Sequence, residues 1–382
     1  MITRGLHLVI ARVNPLTHWL SSPAFRVVTL GLHAVLLLGL YLHHGILADK
    51  EALKYIGCAE QVLHGDFHDL FGNYVKYASY VVFLLPFLAI GAPELAIVAQ
   101  IILGIAAAFA LSRLAERTTK DPRTGSMTMV LFLLSPLIQT WALALYTEYF
   151  FTCLSVLFME RAARIPYRDP ILVFLGAVTL FARPVGIFFV VPVLLWRLMD
   201  TWSPRMRSAV VLLGSAAVIV VVIAVPKVEH AQLLPIAQGQ VIAGVGGVQN
   251  NVFQEHTIAD AQRSLLGQVG ITAWCKITFQ RMVALITLTR PHYSAFHNAI
   301  NTGWMLLYPL ALLGAWRARR EPLVQLLVSI LIPYVVFIGL THAEWSGRFM
   351  VPLLPWVFVL ATVGTSRSKK LNGAVAPTFG PE

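Results

Sequence analysis

The chain has 382 residues, of which 57% are hydrophobic and 12% charged, with a mean hydropathy of +0.72 and a formal net charge of +11. That balance is far more apolar than one soluble core requires, and it excludes an ordinary soluble domain. The basic excess does not point to nucleic acid, because Lys and Arg fall in short clusters between apolar runs, where membrane topology places them.

A helix needs about 20 apolar residues to cross the hydrocarbon, and open sheet edges cannot survive there. The repeated apolar runs therefore predict an all-α fold, a polytopic transmembrane helical bundle of about ten spans. Residues 1–26, with Arg4, Arg12 and Arg26, read as a cytoplasmic segment. The run at 27–47 lacks a small-residue cleavage site and is expected as an uncleaved first span leading outward. In the outer loop 48–80, Leu53, Ile56, Ala59, Val62 and Leu63 recur at helical spacing, with Glu51, Lys54, Glu60 and Gln61 largely opposite. This predicts an amphipathic interfacial helix, capped by Asp49 and ended at Gly65.

Residues 79–92 are apolar but short, contain Pro86, and are expected to lie at the interface or insert only in part. Residues 94–112 run inward to Arg113, Arg117, Lys120 and Arg123; 126–143 go out, and 145–160 return to Arg161, Arg164 and Arg168. Two short pieces, 170–182 and 185–198, joined at Arg183 and Pro184, predict a broken helical hairpin with its tip outward. Residues 208–226 cross outward and 227–302 form the longest outer loop. Residues 303–316 return to Arg317, Arg319 and Arg320, 322–340 go out, and 349–365 return to Arg367, Lys369 and Lys370. Residues 27–366 thus make one transmembrane domain, followed by a cytoplasmic tail at 367–382, with a strongly basic inner face and a near-neutral outer one. Cys58, Cys153 and Cys275 make no disulfide framework, although spacing leaves a single Cys58–Cys275 bridge between outer loops open.

Under this layout Asp49, Glu51, Lys76, Glu148, Arg183, His342, Glu344 and Arg348 gather at the outer membrane face. Ionisable groups at membrane depth are expensive and usually have a function. Carboxylates can abstract a proton and fixed cations can hold a phosphate, the complement needed to displace a phosphate from a sugar. Structural alternatives stand beside each: Asp49 as a helix cap, Glu148 paired with an Arg inside the bundle, Lys76 snorkelling, Arg183 as a polar hairpin tip. His43, His44, His292 and His297 read as interfacial residues, and no HExxH, DxD or paired Cys spacing marks a metal site. The GVGG stretch in the 227–302 loop lacks the Lys and the strand–turn–helix setting of a phosphate loop.

Four features occur in order along the chain. They are DKEALKY at 49–55 with AEQVLHGDF after it; NYVKYASYVVFLLPFLAIGAPELA; SPLIQTWALALYTEYFFTCLSVLFMERA; and the pair TLFARPVGIFFVVP and AEWSGRFMVPLLP. Together they resemble the GT-C superfamily of membrane glycosyltransferases, which includes protein O-mannosyltransferases and lipid A aminoarabinose transferases. Lys50 splits the acidic pair of that pattern, and no Pro pair follows Lys76. The resemblance implies transfer of a sugar from a polyprenyl-phosphate donor to a glycan, lipid or protein acceptor of the cell envelope. Transfer would occur at the outer, periplasmic face of a bacterial inner membrane, with inversion and with neither metal nor cofactor. It makes Asp49 the general base and Glu148 the second catalytic acid; Lys76, Arg183 and Arg348 contact the donor phosphate, and Glu51, Tyr55, His342 and Glu344 support them. Two other readings stay open: a polyprenyl-pyrophosphate-linked oligosaccharide polymerase or ligase using Arg290, His292 and His297, and a polytopic lipid or sugar transporter.

Overall fold

A computed structural model describes residues 19–366 apart from 21, 165–168, 226–227, 229, 249–255 and 344–346. Glu344 and Arg168 therefore lie outside the described residues, as do the segments at 1–18 and 367–382. All regular elements among the described residues are helical. In chain order they are α1 (Pro23–His44), α2 (Glu51–Leu63), α3 (His68–Phe71), α4 (Ala78–Ala89), α5 (Leu95–Thr119), α6 (Pro122–Leu133), α7 (Pro136–Ala142), α8 (Thr147–Arg164) and α9 (Pro170–Leu180). There follow α10 (Ile187–Leu198), α11 (Pro204–Ala224), α12 (His230–Ala237), α13 (Ile258–Ile286), α14 (Ala295–Met305), α15 (Leu307–Arg317), α16 (Pro322–Thr341) and α17 (Leu354–Thr365).

Several helices start the same way. A Ser or Asp precedes a Pro at Ser22–Pro23, Asp121–Pro122, Asp169–Pro170 and Ser203–Pro204, and each cap side chain accepts a backbone N–H from the first turn. Proline fits at that point because the first-turn N–H it lacks would have no helical partner, and its fixed φ suits the helix.

Among the described residues, five helices, α1, α5, α11, α13 and α16, are long and apolar enough to cross a membrane, and the bent pair α6–α7 would make a sixth. The chain is an integral membrane protein. The 79–92 stretch gives the 12-residue α4, about 18 Å at 1.5 Å per residue and too short to cross alone. The 227–302 stretch is not simply a loop. It contains α13, 29 residues long and broken at Gly270 (φ 75°). Arg263, Lys276 and Arg281 interrupt its apolar run, and its hydropathy of 1.2 is the lowest of the five, so composition alone conceals it.

The chain divides into two compact units. The first comprises Met1–Pro184, Pro309–Glu321 and Leu354–Glu382. Its centre is α5 packed against α6 and α8, with α17 on α5 and α6. Small residues let these helices approach: a Cβ at Gly125 would lie 2.7 Å from the Ser112 carbonyl oxygen, and one at Gly104 would overlap the Tyr149 hydroxyl. Between α6 and α7 the helix axis turns by 57°, at the Leu-Ser-Pro run 134–136. Pro136 cannot donate, so carbonyls of the last α6 turn lose their helical partners. Gln139 Nε2 donates to the Phe132 carbonyl and His33 Nδ1, from α1, to that of Leu133, both at 2.9 Å.

The second unit, Val185–Tyr308 with Pro322–Leu353, is organised on α16, which packs against α10, α11 and α13. Phe188 and Phe337 rings lie 4.5 Å apart there, and Gly339 admits Met282 from α13. All three cysteines are free thiols: Cys58 and Cys153 are buried and Cys275 is exposed, so the Cys58–Cys275 bridge does not form.

Gly314 on α15 lies against the backbone of α17, where an added methyl would overlap the Leu360 carbonyl and sit 2.8 Å from the Gly364 nitrogen. Backbone cannot rotate aside as a side chain can. Gly314→Ala is therefore expected to cost about 1–3 kcal/mol, measured as thermal unfolding in detergent. Gly39→Ala on α1, with nothing within 4 Å, is expected to be neutral or slightly stabilising.

Candidate functional site

The first unit brings the C-terminal end of α1 against the turn between α7 and α8. After α1 ends at Gly45, with φ 69°, the chain runs extended, and Leu47 makes two backbone hydrogen bonds of 2.9 Å, to the Leu143 carbonyl and from the Leu145 N–H. This short parallel bridge pins the start of the first loop. Tyr146, next along, donates its hydroxyl to Asp49 Oδ1 at 3.0 Å and to the Asp49 carbonyl at 3.1 Å.

Asp49 does not cap α2 with its side chain. The N-cap is Lys50, in an unusual conformation with φ 45°, and no side chain bonds the first turn; only the Asp49 carbonyl accepts, from Ala52 N–H at 2.9 Å. The turn at Lys50 leaves the Asp49 carboxylate exposed, with one oxygen on Tyr146. The helix ends at Leu63, and Gly65 follows at φ 85°.

Two residues beyond Tyr146, Glu148 is fully buried in the first turn of α8 and pairs with Arg183 Nη2 at 3.0 Å. Arg183, 3% exposed, follows the end of α9. The two were expected as a second catalytic acid and a phosphate contact; the structure makes them partners in an interior ion pair. Removing either one would strand a charge in low dielectric, which costs far more than an exposed pair returns.

Tyr55 lines the same region from α2. Its ring meets those of Tyr77 at 5.2 Å and Tyr80 at 5.5 Å, and its buried hydroxyl has no hydrogen-bond partner among the described residues. Burial pushes the phenol well above its ordinary value, helped by Tyr77, Glu148 and Glu51, so Tyr55 stays an O–H donor at neutral pH. Tyr80 in turn donates to Gln100 Oε1 at 3.3 Å, and Gln100 Nε2 holds the carbonyls of Ala142 and Ala144 at 3.4 and 3.1 Å. Lys76 is exposed on the 3-10 turn Val75–Tyr77, with its ammonium 5.7 Å from the centre of the Tyr77 ring. The Ser79 N–H just after that turn donates to the Phe181 carbonyl at 3.1 Å, two residues before Arg183. Glu51 faces Lys54 instead, at 3.3 Å on the exposed side of α2. An open cavity of about 320 Å³ adjoins this corner, lined by Tyr41, Ile46, Ala48, Ile56, Leu145 and, as its one charged residue, Glu94.

The remaining expected residues belong to the second unit. His342 Nδ1 contacts Thr341 Oγ1 at 2.6 Å; that hydroxyl already donates to the Phe337 carbonyl, so the ring nitrogen is the donor. Arg348 is half-buried, 5.7 Å from the Phe349 ring centre. Arg290 is committed to backbone: its guanidinium donates to the carbonyls of Ala284, Thr287 and Thr289 at the end of α13. His292 and His297 pack on the Tyr293 ring, His297 stacked at 4.1 Å.

Tyr146, Gln100 and Gln139 were not singled out from sequence. The only available signal was position, with Tyr146 two residues before Glu148 in YTEY and the glutamines inside apolar runs. No family model matches the chain, and neither the curated proteins nor the solved structures searched contain a match.

The ion pair makes a thermodynamic prediction. Arg183→Met alone is expected to cost about 3–5 kcal/mol by leaving Glu148 charged and buried, whereas Glu148→Gln with Arg183→Met costs clearly less than the sum of the singles. Thermal unfolding of the three variants checks it; additive losses would show that the two side chains do not interact.

Proposed function

We propose that the chain is a GT-C-like glycosyltransferase that moves a sugar from a polyprenyl-phosphate donor to an envelope glycan, lipid or protein acceptor. The observation that carries this reading is a convergence. Three segments far apart in sequence, at 49, 146–148 and 183, are joined in the first unit: Tyr146 holds an exposed carboxylate, and, two residues on, Glu148 forms a buried acid–arginine pair. The reading places about ten spans in a bacterial inner membrane, with both termini inside and this corner at the periplasmic face.

Asp49 takes the proton of the acceptor hydroxyl or amine as that atom attacks C1 of the sugar. The C1–O bond to phosphate breaks, and polyprenyl phosphate leaves with the bonding electrons, inverting C1. Tyr146 holds one carboxylate oxygen and fixes its direction; the second takes the proton. Lys76 is exposed, so its ammonium can meet the charge growing on the departing phosphate. Tyr55 supplies a neutral O–H donor to the same region. Glu148 and Arg183 neutralise each other and act as positioning residues. The apolar cavity beside Ala48 suits isoprenoid units of the donor.

Asp49→Asn is expected to abolish transfer to a synthetic acceptor while leaving donor binding intact; normal turnover in that variant would sink the assignment. Lys76→Met is expected to weaken donor binding about tenfold or more, since it removes a charge-assisted contact. Titration with a short-chain polyprenyl-phosphate sugar reads the second effect. Envelope glycolipids compared by mass spectrometry with and without the gene would identify the sugar; no missing glycoconjugate would count against the whole reading.

A further inference from the structure

Away from this corner, the arginine-rich ends of α5 and α8 carry a second cluster. These helices pack side by side, and their last two turns gather three guanidinium groups about one buried carboxylate. Arg113 Nε and Arg164 Nη1 both reach the same oxygen, Glu160 Oε1, at 2.8 and 3.2 Å, and Glu160 is 5% exposed. Arg117, one turn beyond Arg113 on the same face of α5, feels the charges of Glu160, Glu116, Arg113 and Arg164. The neighbouring Arg161 is taken up by Asp169, which it meets with two hydrogen bonds of 2.6 and 3.0 Å.

Each guanidinium has five N–H donors in a planar fork. Arg113 and Arg164 give one nitrogen each to Glu160, and among the described residues nothing else accepts from them or from Arg117. Three cations thus face two acids, with most of their donors unused by the described residues and their side chains exposed. Glu160 is the counter-charge that lets the helices close at this point; it is too little to saturate the donors. The face of α5 that leads to them is apolar. Ile102, Ala106, Phe109, Arg113 and Arg117 follow at spacings of four and three, all exposed or half-buried, so one lipid-facing stripe runs from hydrocarbon into paired arginines.

We propose that this cluster binds the phosphate diester of an anionic phospholipid, with an acyl chain lying along Ile102, Ala106 and Phe109. Guanidinium forks match phosphate oxygens pairwise, and basic residues at a membrane surface each strengthen the attraction of anionic lipid. The apolar stripe selects a lipid over free phosphate. This site is independent of the glycosyltransferase reading, since it uses none of the residues assigned there.

The test takes the full chain, purified in nonionic detergent and stripped of lipid, and follows thermal unfolding while dioleoylphosphatidylglycerol is titrated in. Dioleoylphosphatidylcholine and inorganic phosphate are run in parallel. A saturable stabilisation by the anionic phosphatidylglycerol alone is expected. Arg117→Gln, which leaves the Arg113 and Arg164 contacts to Glu160 intact, weakens its apparent affinity about fivefold, and the R113Q/R117Q/R164Q variant removes the effect. The control R319Q/R320Q, which lowers charge on another helix end, keeps it. Equal response to phosphatidylcholine, an equal response to inorganic phosphate, an unchanged affinity in Arg117→Gln, or an equal loss in the control would each overturn the proposal.

Discussion

The buried pair between Glu148 and Arg183 is the constraint on which the candidate site depends. Neither side chain can leave the other without stranding a charge among apolar neighbours, so the start of α8 and the end of α9 are locked together. Two residues expected to be functional in the first unit, Asp49 and Lys76, are each tied to one of those two points. Tyr146, two residues before Glu148, holds Asp49, and the Leu47 bridge holds the strand-like run before it. Phe181, two residues before Arg183, accepts from Ser79 and so carries the turn that presents Lys76. A pair that is neutral in sum thereby positions one exposed anion and one exposed cation.

A second theme is how this chain treats broken helices. Where a helix stops inside an apolar bundle, carbonyls lose both their helical donors and water. Here long polar side chains take them: His33 and Gln139 at the α6–α7 bend, Gln100 at the α7–α8 turn, Arg281 on Pro235, Ile236 and Gln240, and Arg290 at the end of α13. Polar residues at depth therefore fall into two groups, those that serve backbone and those that serve charge. Arg290 belongs to the first group, its guanidinium held by the carbonyls of Ala284, Thr287 and Thr289.

Much of the helical architecture was legible because apolar length and basic clusters are direct consequences of the bilayer. The limits 27–47 and 322–340 lie close to α1 and α16 for that reason. The amphipathic α2 was legible from its spacing, but its cap was not. An Asp two residues ahead of a helix suggests a side-chain cap, and only the left-handed turn at Lys50 reveals that Asp49 points elsewhere. The bend at 134–136 had a visible cause in Pro136, yet nothing local says that His33, a hundred residues earlier, completes it. Composition hid α13 because charges that the fold can bury or expose on one side look, in sequence, like the charges of a loop. For the site, residue types were legible and pairings were not. Glu148 and Arg183 each carried two readings, and the choice between them is a distance that sequence does not contain.

That choice also divides the labour between the two carboxylates. A general base must accept a proton and release it in each cycle, and Glu148 could do so only by giving up the charge that holds Arg183 in the interior. Asp49 sits differently. It is exposed, its helix does not need it as a cap, and a neutral hydroxyl rather than a cation fixes its orientation. The two acids are therefore not interchangeable: Asp49 is held by a neutral hydroxyl at the surface, and Glu148 is the one whose charge the buried Arg183 requires.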